Sequence, residues 1–349
     1  MAKVTPKENF LMLVDGGTPA YIPYFTMMGE PYLGEAATKF VSPPIFKTTQ
    51  FMDGGYDMWG VRYVAAEGTN NATMPDTNII LLEDVDDWEK VVKFPEVPEY
   101  DMEALYRQSM ANVDRTQSAV MCSPNFMPFQ TLVALMGFVN GLCALYESPD
   151  SVKDMLNAMV DLMEPVFYET VEVYKPDLWY ILDDSCSKMA PFFSMETYRD
   201  IFKPIYNRLA KPAVDRGIPI IFHNCGFCEP QIADLVDVGV KILEPMQESN
   251  DLLKVKEQYK GKLSLVGGCD WSTLMPKNYP EYDEEELRQG VRDVINKNAP
   301  GGAYGFYAWP ISYAGDPVIG EVNRIIRDEA HWYGRKYTGY DEDRIVVPV

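Results

Sequence analysis

Residues 218–228 read I-P-I-I-F-H-N-C-G-F-C, and they concentrate the chain's rarest reactive groups. His223 is one of only two histidines in 349 residues, and Cys225 and Cys228 follow it within five positions. Imidazole and thiolate together form the donor set of a zinc site, and an incomplete protein shell is what a catalytic zinc needs. His223 and Cys225 alternate along an extended chain, so both can point to one side. Cys269, two strand-like runs further on, is the expected third ligand, and an Asp at the end of the fourth run, Leu178–Leu182, or a water can complete a tetrahedron. Cys225–Cys228 is also a C-x-x-C pair, but the thioredoxin-like setting that a redox pair requires is missing. A free cysteine is commonly a core-packing residue, so each of these thiols has a structural alternative.

The acidic pair Asp183–Asp184 is the second candidate. Two carboxylates held close push one pKa upward and can transfer protons. Neighbours on a strand face opposite ways, so one of the two reaches a site and the other caps a loop or helix. Asp184, Asp183 and His223 are the expected catalytic groups. Met27, Met28, Trp59, Phe126, Gln247 and Trp309, with Trp271 beside them, are the expected lining of a largely apolar substrate pocket. His331, in E-A-H-W-Y-G of a terminal helix, reads as a packing or surface histidine.

These residues need a scaffold that brings them to one place. Eight short β-rich runs recur along the chain: Ala20–Phe25, Met58–Val64, Ser118–Cys122, Leu178–Leu182, Ile218–Phe222, Val240–Leu243, Leu263–Val266 and Ala303–Tyr307. Stretches with helical periodicity separate the later runs, several closed by glycine, such as Gly217 and Gly239. A last helix is expected over Asp316–Lys336. Eight strand–helix units predict a distorted (β/α)8 barrel made by a single domain over 1–349. An open doubly wound sheet is the rival, and no G-x-G-x-x-G follows the first run. An N-terminal segment and the 65–100 stretch are expected as excursions over the C-terminal face. Barrel chemistry sits where strands end, and five of the six cysteines, His223 and Asp183–Asp184 all fall at those ends.

Composition narrows the partners. Apolar residues make up 47% and charged residues 24%, enough for a large core. A net charge of −21 argues against nucleic acid, an anionic membrane surface and a polycarboxylate substrate. No stretch approaches a membrane span, the N-terminus has no secretory h-region, and a cytoplasmic location with free thiols is expected. Self-association into a homodimer stays open.

The stretches D-D-S-C-S-K-M-A-P-F-F-S-M-E-T-Y, I-I-F-H-N-C-G-F-C-E-P-Q-I-A-D-L and L-S-L-V-G-G-C-D resemble the uroporphyrinogen decarboxylase superfamily, continuously over about residues 165–330. The resemblance implies a distorted (β/α)8 barrel and either decarboxylation or cobalamin-dependent methyl transfer. The decarboxylase branch carries arginines after its first strand, where this chain has F-T-M-M-G-E, and a histidine after its last, where this chain has Y-A-W-P. The methyltransferase branch carries a His-x-Cys zinc motif, matched by His223-Asn224-Cys225. Its downstream Cys usually follows the last strand, and here Cys269 or Cys228 is the available substitute. The methyltransferase resemblance implies zinc, a corrinoid carried by a partner protein, and a small methoxylated donor. Methylation of a thiol from methylcobalamin, decarboxylation, and metal-free binding of a small molecule are the alternatives.

Overall fold

The computed structural model describes residues 4–14, 16–26, 36–46, 54–65, 73–270, 272–308 and 316–340. The strands are β1 (Thr38–Phe40), β2 (Gly55–Tyr56), β3 (Arg62–Ala65), β4 (Thr73–Pro75), β5 (Ala119–Cys122), β6 (Leu178–Leu182), β7 (Ile220–His223), β8 (Val240–Met246), β9 (Ser264–Gly267) and β10 (Tyr304–Phe306). Seven of them form one sheet in the order β1-β5-β6-β7-β8-β9-β10, with every neighbouring pair parallel. The segment around Tyr24 takes the eighth place. Its backbone bridges β10 in parallel, with Phe25 N–H on the Phe306 carbonyl and Phe306 N–H on the Pro23 carbonyl, both at 2.9 Å. Thr38 Oγ1 donates to the Thr26 carbonyl at 2.9 Å and ties that segment to β1. The result is a distorted (β/α)8 barrel, as the run spacing predicted.

The second predicted run, Met58–Val64, is not a barrel strand. Asp57 Oδ1 accepts the N–H groups of Trp59 and Val61, each at 2.9 Å, and Gly60 adopts φ +87°, so the middle of this run is a turn. The run instead ends in β3, the centre of an antiparallel β2-β3-β4 sheet. The barrel position belongs to Thr38–Phe40, a three-residue strand with a lysine at its centre and little β signal of its own.

The N-terminal segment is also placed differently from the expectation. The helix Pro6–Leu11 lies at the N-terminal end of the barrel, not over its C-terminal face. Lys7 N–H donates to Gln117 O just before β5, Lys7 Nζ pairs with Asp177 just before β6, and Ser264 Oγ at the start of β9 donates to Leu13 O. Phe10 and Leu13 plug the barrel bottom, sharing a cluster with Phe25, Met121, Tyr180, Ile221, Ile242, Val266 and Tyr307. The other side of each strand packs against the helices: Val120, Trp179, Ile181, Phe222, Leu243 and Leu265 belong to the outer core. Strand alternation thus sorts each sequence position to the barrel interior or to the helical shell.

No single helix among the described residues is long and apolar enough to cross a membrane. The last helix runs Pro317–Thr338, close to the expected span, capped by Asp316 and ended by Gly339.

Candidate metal centre at the mouth of the barrel

The alternation that faces Tyr180 and Ile221 inward continues past the strand ends. On β6, Tyr180 and Leu182 face in, so Asp184 does too, while Asp183 faces the helices. On β7, Ile221 faces in, and with it His223 and Cys225. On β8, Ile242 faces in, and with it Glu244. Three adjacent strands therefore send four reactive groups into the same end of the barrel.

Asp184, His223 and Cys225 form a group whose ligand atoms all lie within 4.8 Å of one another. His223 Nε2 is 3.4 Å from Cys225 Sγ and 3.5 Å from Asp184 Oδ1. Asp184 Oδ1 also accepts the Cys225 N–H at 2.8 Å, and Oδ2 accepts Gln130 Nε2 at 2.9 Å, so the carboxylate is fixed from two sides. His223 is buried, while about a third of the Asp184 side chain is exposed (32%), so the group opens toward solvent on one side. One nitrogen, one sulfur and one oxygen with an open side fit the donor chemistry of a three-ligand zinc site.

Behind this group stands Glu244, almost fully buried at 1% exposure. Its Oε1 accepts His223 Nδ1–H at 2.7 Å and the Tyr180 hydroxyl at 2.5 Å. Because a carboxylate only accepts, Nδ1 carries the proton, and Nε2 is the nitrogen turned to Cys225 and Asp184. Burial opposes charge on His223, but Glu244 and Asp184 outweigh it and hold the imidazole well above its ordinary pKa. Asp184 is desolvated too, yet His223 and the Cys225 N–H bring its carboxyl below the usual range. Burial pushes the Cys225 thiol up, partly offset by His223.

The loop after β7 owes its position to glycine. Gly226 has φ +84°, and a Cβ there would meet Ser187 O at 2.4 Å and Cys186 O at 2.8 Å. Its N–H donates to Gln247 Oε1 at 2.5 Å, which sets the one predicted pocket residue after β8 against this loop. Asn224 faces outward and locks the ends of β6 and β7 together. It accepts Ser185 N–H at 3.0 Å and donates to Gln231 Oε1 at 2.7 Å.

Other expectations need correction. Cys269 is not with the group: it belongs to the outer core, and its thiol donates to Tyr307 O at 3.4 Å. Two glycines precede it, and Gly267 and Gly268, at φ +129° and +97°, break the strand alternation on which the expectation relied. Asp184, not Cys269, stands beside His223 and Cys225. Cys228 is buried against Met246 and Asn250, and burial raises its thiol pKa. Asp183 is fully buried on the helical side. It accepts the N–H groups of Phe129 (2.7 Å) and Gln130 (3.1 Å) at the start of the helix Pro128–Met136, and the Tyr206 hydroxyl at 2.8 Å. Burial lifts its carboxyl to about 7 against those bonds. Asp183 is thus a helix cap remote in orientation from the mouth.

Trp59 and Phe126 meet edge to face at 6.4 Å, each 2% exposed, in the core joining the β2-β3-β4 sheet to the loop after β5. They anchor the β2-β3-β4 sheet beside the loop after β5, at the C-terminal side of the barrel. Met27, Met28, Trp271 and Trp309 lie outside the described residues. His331 packs over Tyr24 at 5.2 Å, as expected of a packing histidine. Sequence reading passed over Glu244, Tyr180 and Gln130. The signal for Glu244 was present: an acidic residue inside the apolar V-K-I-L-E-P-M strand, in phase with Ile242.

The uroporphyrinogen decarboxylase (URO-D) family model matches residues 63–306, well over half of the chain, and the chain belongs to that family. No curated protein matches the chain significantly. Among solved structures, 23 chains match, one of them a methyltransferase from Methanosarcina mazei. That structure is 13% identical, with a TM-score of 0.61 over 95% of this chain and 99% of that one. At this identity the likeness speaks for the fold.

Proposed function

We propose that the chain is a corrinoid-dependent methyltransferase that takes a methyl group from a methoxylated donor to cob(I)alamin on a partner corrinoid protein. Zinc is the metal assigned to Asp184, His223 and Cys225. The observation that carries this reading is the convergence of three chemically different donors on the ends of adjacent strands β6 and β7. The methyltransferase of the same fold supports it. When bound, zinc supplies Lewis acidity toward an ether oxygen, and the partner's corrinoid supplies the nucleophile for the methyl carbon.

The chain's own residues prepare the site. Glu244 turns the His223 Nε2 lone pair to the open side, Gln130 holds Asp184, and Gln247 shapes the rim beside Gly226. The decarboxylase reading finds little support, because residues 25–30 contain no arginine to receive substrate carboxylates.

The test is the metal content of protein purified without chelator, wild type against Cys225→Ala. About one zinc per chain, lost in the variant, supports the reading and directs a screen of methoxylated donors with cob(I)alamin as acceptor. No metal in either protein overturns the zinc assignment and leaves His223, cationic between two carboxylates, as the proton donor to the leaving oxygen.

A second reading, methylation of a thiol from methylcobalamin, gains from one observation. Trp59 and Phe126, expected to make the mouth aromatic, are core residues instead. Turnover with thiols and methylcobalamin, but not with methoxylated donors, selects it.

A further inference from the structure

Glu244 is hard to explain as a structural residue. It is a carboxylate at 1% exposure inside the barrel, and among the described residues no Lys or Arg is bonded to it. Among the described residues both of its bonds go to Oε1, from Tyr180 and from His223, and the buried Oε2 has no hydrogen-bond partner. A buried carboxylate oxygen left unmatched forfeits its hydration without return, so an apolar side chain would serve a merely structural position better. The barrel keeps the carboxylate between the Tyr180 hydroxyl and the His223 ring. His223 and Glu244 are direct partners in the β7–β8 register, so strand pairing itself sets the Nδ1–Oε1 contact. Tyr180, on the far neighbour β6, closes the other side of Oε1.

We infer that Glu244 is the positioning residue of the metal centre, with Tyr180 as its anchor: it fixes the His223 tautomer and ring orientation and raises the basicity of Nε2. The inference rests on the zinc reading above. Carboxylates that accept the distal N–H of a ligating histidine commonly govern affinity in this way. Tyr180 acts one bond further out, through its hydrogen bond to Glu244.

The experiment measures zinc affinity of the full chain by competition with a chromophoric chelator, for wild type, Glu244→Ala, Glu244→Gln and Tyr180→Phe. Circular dichroism establishes that each variant is folded. Glu244→Ala is expected to bind zinc about 10- to 100-fold more weakly. Glu244→Gln keeps an acceptor oxygen without the charge, and Tyr180→Phe keeps the carboxylate without its anchor. Both lose less than Glu244→Ala, and they carry the test if the alanine variant does not fold.

A second readout excludes a merely structural role. The chain has two histidines, so nitrogen-15 histidine spectra of the zinc-loaded protein are simple, and a His331→Phe background leaves His223 alone. An exchange-protected Nδ1–H on His223 is expected in wild type and lost in Glu244→Ala. Zinc bound by wild type and equally well by all three variants overturns the inference while the zinc reading stands. No zinc on wild type overturns both.

Discussion

At the residue scale, the candidate centre is decided by which atoms share the barrel mouth, and two cysteines predicted as equals part company there. Cys225 lies beside His223 Nε2, whereas Cys269 faces the outer core. Cys225→Ser is therefore expected to abolish stoichiometric zinc, while Cys269→Ser keeps it, measured by elemental analysis of the purified chains. Zinc lost equally in both would place Cys269 in the ligand set after all. Asp184→Asn retains an oxygen for the Cys225 N–H but removes the anionic donor. It is expected to weaken zinc binding about tenfold or more, at least the loss that follows mutation of a residue supporting a ligand, with little change in folding. His223 and Cys225 were legible because imidazole and thiol are rare and alternate along an apolar strand. Glu244 was passed over although an acidic residue inside an apolar strand is a signal, because which side of the strand it faces is settled only by the barrel.

At the element scale, the loop after β7 and the pairing of the last two long helices are the sensitive joints. Gly226→Ala would drive a Cβ into Ser187 O and Cys186 O at a positive φ. Such strain costs on the order of 1–3 kcal/mol. Lower thermal stability and weakened zinc binding are expected together, because the same loop carries Cys225. Unchanged melting and affinity would show that the β6 loop yields freely.

The helices Glu284–Asn298 and Pro317–Thr338 meet through a buried ion cluster. Glu329, fully buried, accepts Arg288 at 3.0 Å and Arg292 at 2.6 Å, and Asp328 accepts Arg288 at 2.6 Å. Glu329→Ala leaves two guanidinium groups undercompensated and is expected to cost about 3 kcal/mol, read as a lowered urea midpoint. A shift within error would mean that Asp328 and the exposed glutamates suffice. The helix itself was legible, with a cap and a glycine stop, but its ion cluster depends on a helix some 40 positions earlier in the chain.

At the scale of the whole molecule, the N-terminal and C-terminal parts of the chain meet where the ring is completed, and His331 monitors that junction. Burial, with smaller contributions from Arg335 and Arg327, lowers its pKa from 6.5 to about 3. The unfolded chain takes up a proton below about pH 6.5 that the folded chain refuses. Stability from this group is thus complete above that pH and is lost as pH falls toward 3, with a limiting slope of about 1.4 kcal/mol per pH unit. His331→Phe keeps a ring over Tyr24 and is expected to flatten the loss between pH 6.5 and 4, measured from urea midpoints across that range. An identical slope in the variant would assign the acid sensitivity elsewhere.

By itself the sequence determined the barrel from β5 onward, the last helix and the His223–Asn224–Cys225 motif. Those signals are local: runs of apolar residues with period two, helices with period 3.6 and glycine stops between them. Only the tertiary structure decided the rest. It placed Thr38–Phe40 rather than Met58–Val64 in the ring, because a three-residue strand is specified by its partner strand and not by its own composition. It sent the N-terminal helix to the barrel bottom, where its partners come from β5, β6 and β9. It left Cys269 in the outer core, set Asp184 beside His223 and Cys225, and brought Glu244 behind His223. Each of these outcomes depends on the register between strands and on the facing of side chains at their ends, which the residues acquire only when the ring closes.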